Sequence, residues 1–146
     1  MKIKRYIKDW NTGAIISESE FGPTPKKLTI LLNRGPYVSE CADLAVHLAL
    51  KAREKGHDVN MYLYVDGVWL SHRGQDFKST DEFVNLGNLL QEAVEKGVNV
   101  KVCARCGFVR GVKKDDVLDQ TQMPLVGIYD FVNWLKESDK VITFTE

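Results

Sequence analysis

No stretch of these 146 residues is apolar over the roughly 20 positions that a membrane-spanning helix needs. The opening run Met1-Lys2-Ile3-Lys4-Arg5-Tyr6-Ile7-Lys8 has no unbroken apolar core, so it does not read as a signal peptide. Net charge is absent too: 20 lysines and arginines offset 20 aspartates and glutamates. No overall field therefore favours a nucleic acid or an anionic membrane. Cysteine is scarce, at three residues, in a chain long enough to bury a core without disulfide staples. Together these absences predict a protein of the reducing cytoplasm, off the membrane and with no direct nucleic-acid binding. Neither Gly-x-Gly-x-x-Gly nor Gly-Lys-Ser/Thr occurs, which argues against a nucleotide cradle. There is no internal repeat and no low-complexity segment.

What the chain does contain is a series of apolar runs separated by amphipathic stretches. Leu28-Thr29-Ile30-Leu31-Leu32 is apolar almost throughout, as a strand covered on both faces would be. Asn33-Arg34-Gly35-Pro36-Tyr37 turns the chain, with Pro36 suited to the first position of a helix. Cys41, Leu44, Ala45, Leu48, Ala49 and Ala52 then share one helical stripe. Lys51, Arg53 and Lys55 suit the negative end of that helix, and Gly56 ends it. Val59 to Val65 predicts a second strand, closed by Asp66-Gly67. From Val68 to Lys78 no period is visible; Trp69, His72 and Phe77 sit there as core-anchored loop residues or as a contact surface. Ser79 and Glu82 form a capping-box pattern before a stripe of Phe83, Leu86, Leu90 and Ala93, stopped by Gly97. Val98, Val100 and Val102 predict a third buried strand. Lys113 to Leu118 reads as one further helical turn. Pro124 opens a last helix with Leu125, Ile128, Tyr129, Val132 and Leu135, and Val141-Ile142-Thr143-Phe144 closes as a strand.

This alternation predicts a single three-layer α/β domain over residues 27–146, with a mostly parallel sheet and helices on both faces. Residues 1–26 stand apart as an N-terminal extension. Lys2 to Ile7 alternates charged and apolar residues, Asn11-Thr12-Gly13 supplies a turn, and Ala14-Ile15-Ile16 resumes an apolar run. That is a hairpin pattern. Gly22-Pro23-Thr24-Pro25 follows as a linker.

The chemistry concentrates in Cys103-Ala104-Arg105-Cys106-Gly107-Phe108-Val109-Arg110-Gly111, at the end of the third strand. In open α/β sheets, sites collect at the carboxyl ends of strands. The turns after the first three strands carry Tyr37, Asp66 and the pair Cys103 and Cys106, and parallel topology brings them to one edge. A thiol attacks as thiolate, and a helix N-terminus together with Arg105 and Arg110 favours that form. Against this, Cys106 also reads as a small buried hydrophobe, and Cys41 and Trp134 read as core. A zinc site needs two more ligands: no second Cys-x-x-Cys exists, and His47, His57 and His72 lack mutual spacing, so no metal is assigned. A redox pair suits Cys-x-x-Cys beside a βαβ unit, although the motif follows the third strand and has no flanking tryptophan.

Gly35-Pro36-Tyr37, Gly56-His57-Asp58-Val59, Asp66-Gly67-Val68 and Cys103 with Arg110-Gly111 together resemble the DsrE/DsrF-like family of sulfur-relay proteins, over residues 27–146. In that family the cysteine eight residues before the glycine of the Arg-Gly pair carries a persulfide, and Cys103 occupies that place. Related members also have a cysteine at the position of Cys106. The resemblance implies a cytoplasmic α/β subunit in trimers or hexamers, with no cofactor. A donor protein would load sulfane sulfur onto Cys103 and an acceptor thiol would remove it. A dithiol reductase using Cys103 and Cys106, and a non-catalytic assembly subunit binding through residues 68–78, are the other readings.

Overall fold

The structure, a computed structural model, describes residues 3–8, 15–21 and 26–145, with side chains from Lys26 onward. Strands β1 (Ile3–Lys8) and β2 (Ile15–Phe21) pair antiparallel as a two-stranded sheet of their own. The hairpin pattern is thus realised, while its Asn11-Thr12-Gly13 turn and the Gly22–Pro25 linker lie outside the described residues.

Five further strands form one parallel sheet: β3 (Lys27–Leu32), β4 (Asp58–Leu63), β5 (Asn99–Cys103), β6 (Leu125–Val126) and β7 (Lys140–Phe144). Their spatial order is β6-β5-β4-β3-β7. Four helices connect them: α1 (Cys41–Glu54), α2 (Leu86–Glu95), α3 (Ala104–Arg110) and α4 (Ile128–Glu137). The α/β fold with a covered parallel sheet is as the alternation predicts. Central strand β4 is buried from Val59 to Leu63, which explains why its sequence does not alternate. Fully buried Ile30, Leu32, Met61, Leu63 and Val102 make the heart of the core. Each such side chain contributes about 1.5–3 kcal/mol relative to exposure.

Polar residues set the register on the sheet face covered by α4. Thr29, Asn60 and Asn99 are directly paired across β3, β4 and β5. Asn99 Nδ2 donates to Asn60 Oδ1 at 3.1 Å, and Asn60 Nδ2 donates to Thr29 Oγ1 at 3.2 Å. Thr29 Oγ1 meets Ser138 Oγ at 2.6 Å, and Ser138 Oγ donates to the Trp134 carbonyl. A one-residue slip would turn the buried amide of Asn60 away from both partners, so the ladder penalises misregistration.

Several boundaries differ from the pattern. The buried stripe of α1 is Ala42, Ala45, Val46, Ala49, Leu50 and Ala52, and Leu44 is half exposed. Small alanines let that helix lie close on the sheet, so the bulkier Leu44 is rotated outward. Helix α1 starts at Cys41, which leaves Pro36 in the preceding turn. Strand β4 ends at Leu63, because Val65 adopts φ +50 and opens a 3-10 helix, Val65–Ser71, in the stretch that had no period. Helix α2 begins at Leu86 rather than at Ser79. Asn85 caps it by accepting from Asn88 N, while its amide donates to the Gln75 and Phe77 carbonyls. Ser79 Oγ is used on Asn85 N, and Phe83 stays exposed. Leu125 is in β6 and not in α4, since Val102 N bonds the Pro124 carbonyl and draws that segment into the sheet. Cys41 is only partly buried, with its thiol donating to the Thr145 carbonyl at 3.3 Å.

Candidate functional site

Strand β5 ends on Cys103, whose extended backbone (φ −66, ψ 111) makes it the N-cap of α3. In that role its sulfur stands where Ser or Asp usually does, accepting from the Cys106 N–H at 3.4 Å. One helical turn places Cys106 beside Cys103, and Arg110 falls one turn further on. The Arg110 guanidinium donates to the Cys106 carbonyl at 3.3 Å and to Asp66 Oδ1 at 2.6 Å. Gly111, at φ +74, ends α3 in the left-handed conformation. The 3-10 helix crosses the end of β3 at Gly67, where a Cβ would overlap the Leu32 carbonyl. That contact requires glycine and holds Asp66 over the strand ends.

The two sulfurs have different surroundings. Cys103 is 3% exposed, whereas Cys106 is only half-buried. Burial, and then the adjacent Cys103 sulfur, push the Cys106 thiol above its ordinary pKa. The Val65 N–H and Arg110 act in the opposite direction and are outweighed. Arg110 thus favours the Cys106 thiolate, as its position in the sequence suggests, but less strongly than burial opposes it, and it is also paired with Asp66. Arg105 is exposed.

Tyr37 is not part of this cluster. Its hydroxyl accepts from Leu86 N at 2.9 Å and donates to the Val84 carbonyl at 3.0 Å, while its ring packs on Phe77. It ties the β3 turn, where it adopts φ +63, to the start of α2. Asp66, Arg110, Cys103 and Cys106 are brought together. Among the described residues, no group of three His, Cys, Asp or Glu side chains stands ready to hold a metal.

One neighbour of the sulfurs is not evident from motif reading. Tyr62 of β4 is fully buried, with its ring against Phe131 and Trp134 of α4. Burial and then the nearby Cys103 sulfur raise its pKa above the ordinary phenol value. The signal in the sequence is a hydroxyl within a buried strand, which calls for a partner.

The sequence profile of the DsrE/DsrF-like family matches residues 26–144. The chain belongs to the DsrE/DsrF-like family. Its relatives include protein MK0008 of Methanopyrus kandleri, 38% identical over 117 residues, covering 80% of this chain and 93% of that one. Protein MJ0989 of Methanocaldococcus jannaschii is 36% identical over 118 residues, covering 81% and 99%. Protein YchN of Escherichia coli K12 is 29% identical over 121 residues, covering 82% and 99%. The crystal structure of E. coli ychN superposes with a TM-score of 0.73 at 28% identity, over 82% of this chain and 99% of that one. A Bacteroides thetaiotaomicron protein, BT1422, shares the fold at TM-score 0.56 and 15% identity, over 81% and 94%. The family match runs through β3 to β7 and includes both Cys103 and Cys106.

Proposed function

We propose that this protein is a cytoplasmic sulfur carrier in which Cys103 holds sulfane sulfur as a persulfide and passes it to an acceptor thiol. The observation that carries the reading is the placement of Cys103, eight residues before Gly111, with a backbone N–H aimed at its sulfur. In loading, the Cys103 thiolate attacks the outer sulfur of a donor persulfide. The donor S–S bond breaks, its electron pair leaves on the donor thiolate, and Cys103–S–SH forms. In release, the acceptor thiolate attacks the outer sulfur and Cys103 departs as thiolate. No cofactor enters either step.

Cys106 is the second thiol. Its attack on the inner sulfur of Cys103–S–SH would expel hydrosulfide and leave a Cys103–Cys106 disulfide, so it limits the lifetime of the loaded state. The direct interaction of the two sulfurs favours one second reading, a thiol-disulfide oxidoreductase that cycles this pair. Intact mass after incubation with a persulfide donor separates the two. Sulfur carriage gains one sulfur, which Cys103→Ser abolishes and Cys106→Ser retains; the dithiol reading loses two hydrogens and gains no sulfur. Gain of sulfur in Cys103→Ser but not in Cys106→Ser would transfer the carrier role to Cys106.

Donor and acceptor proteins are the implied partners, in a homo- or hetero-oligomer of three or six subunits. Apolar side chains left uncovered support assembly: Tyr129 is 80% exposed on α4 and Val141 42% on edge strand β7. Trp69, 38% exposed at the 3-10 helix, is the proposed anchor of a subunit contact, as the reading of residues 68–78 as an assembly surface requires. Sedimentation should give an oligomer that Trp69→Ala weakens. Among the described residues, no helix is long and apolar enough to cross a membrane.

A further inference from the structure

On the sheet face covered by α4, alternate residues of neighbouring strands line up. Asn60 pairs with Asn99 and Tyr62 pairs with Lys101. Cys103 is the next residue of β5 on that face, roughly 6.6 Å further along the strand. The Tyr62 ring is held by Phe131 at 5.2 Å between centroids and by the edge of Trp134 at 6.5 Å. Its hydroxyl is completely buried and, among the described residues, has no hydrogen-bond partner. Leaving such a donor unsatisfied forfeits the hydrogen bonds it had in water, so its placement needs a reason. Strand register puts the Cys103 sulfur next on the same face, and after burial that sulfur is the strongest influence on the phenol. A neutral thiol is a poor acceptor, whereas a thiolate is a strong one.

We propose that Tyr62 is a catalytic hydrogen-bond donor, which together with the Cys106 N–H forms a two-donor pocket for the negative charge on Cys103 Sγ when sulfur leaves. The inference rests on the sulfur-carrier reading. In release, acceptor–S⁻ attacks the outer sulfur of Cys103–S–SH, and the S–S bond breaks. Its electron pair goes to Cys103 Sγ, and acceptor–S–SH departs with the proton it carried. Charge therefore appears on Cys103 Sγ, the atom faced by the Cys106 N–H at 3.4 Å and the Tyr62 hydroxyl. Donors fixed in advance where charge develops, in a site that excludes water, are the most effective stabilisers of such a step. Burial keeps the phenol protonated, so Tyr62 donates a hydrogen bond without giving up its proton. The charged groups nearby are already matched: Arg110 with Asp66, and Lys101 with Asp130 at 2.7 Å. Cys106 and Tyr64, whose ring lies 6.3 Å from that of Tyr62, are further titratable neighbours.

Tyr62→Phe removes only the unpartnered oxygen, so its melting temperature should equal or exceed that of the parent. Two measurements read the donor. The ultraviolet absorbance of the Cys103 thiolate, in a Cys41→Ser, Cys106→Ser background, should shift its midpoint upward by about one to two pH units in Tyr62→Phe. Release of sulfur from the preloaded Cys106→Ser chain to excess 2-mercaptoethanol should slow at least about tenfold, without a change in the acceptor concentration giving half-maximal rate. An unchanged midpoint and an unchanged release rate in a folded Tyr62→Phe chain would overturn the proposal. If the parent never gains sulfur, the carrier reading falls by itself; the absorbance midpoint then decides the donor, a shift upholding it and no shift overturning it.

Discussion

Arg110 Nε donates to Asp66 Oδ1 at 2.6 Å, joining the end of α3 to the 3-10 helix that follows β4. The pair ties two of the strand ends around the sulfurs. Arg110 still favours the Cys106 thiolate from within the pair, and Asp66 offsets part of its charge. Asp66 is more than half exposed, and such pairs contribute at most about 1 kcal/mol. The consequence of the pair is therefore electrostatic placement more than stability.

Asp66→Asn should accordingly change stability by less than about 1 kcal/mol, measured by denaturant unfolding. It leaves Arg110 uncompensated beside Cys106, whose thiolate becomes easier to form. Alkylation of Cys106 in a Cys41→Ser, Cys103→Ser background should thus reach half its maximal rate at a lower pH than in the same chain with Asp66 intact. An unmoved pH profile would mean that Arg110 does not sense the sulfur.

Gly67→Ala should be among the most damaging single substitutions outside the strands. The new methyl overlaps the Leu32 carbonyl, which is backbone and cannot rotate aside. Overpacking of this kind costs about 1–3 kcal/mol, here at the upper end, and should lower the melting temperature by roughly 10 °C. Calorimetry showing no loss would indicate that the 3-10 helix does not lie against β3.

The pH dependence of stability follows from two raised values. Cys106 and Tyr62 both hold their protons more tightly in the folded chain than in the unfolded one. Their contributions are fully present below the unfolded values, 9.0 for the thiol and 10.0 for the phenol. They are lost as pH rises through the folded values, because only the unfolded chain ionises freely. Stability should be level near neutrality from these groups and fall above about pH 9. Cys106→Ser combined with Tyr62→Phe should flatten that decline in urea titrations, and an undiminished decline would assign it to other groups.

Deleting residues 1–26 should leave the remainder folded. The five-stranded sheet includes neither β1 nor β2, and the family match begins at residue 26. Circular dichroism should keep its α/β signature, and the melting temperature should change by a few degrees only. A truncated chain that fails to fold would place the hairpin within the core and move the domain boundary.

By itself the sequence determined the order of the main strands and helices, though not β6 or the 3-10 helix, because apolar runs of five residues and helical stripes ending in glycine are local signals. It also marked Cys103 as the end of a strand, where chain direction changes within a few residues. Only the tertiary structure decided which side chains meet. Tyr37 and Asp66 both follow strands, yet Asp66 reaches Arg110 while Tyr37 turns to α2. Asn85, rather than Ser79, starts α2, since its side chain bonds carbonyls ten and eight residues back. Tyr62 comes to the sulfurs through strand register and the rings of α4. These outcomes depend on pairing across the sheet between residues dozens of positions apart, and neither periodicity nor spacing along one strand carries that information.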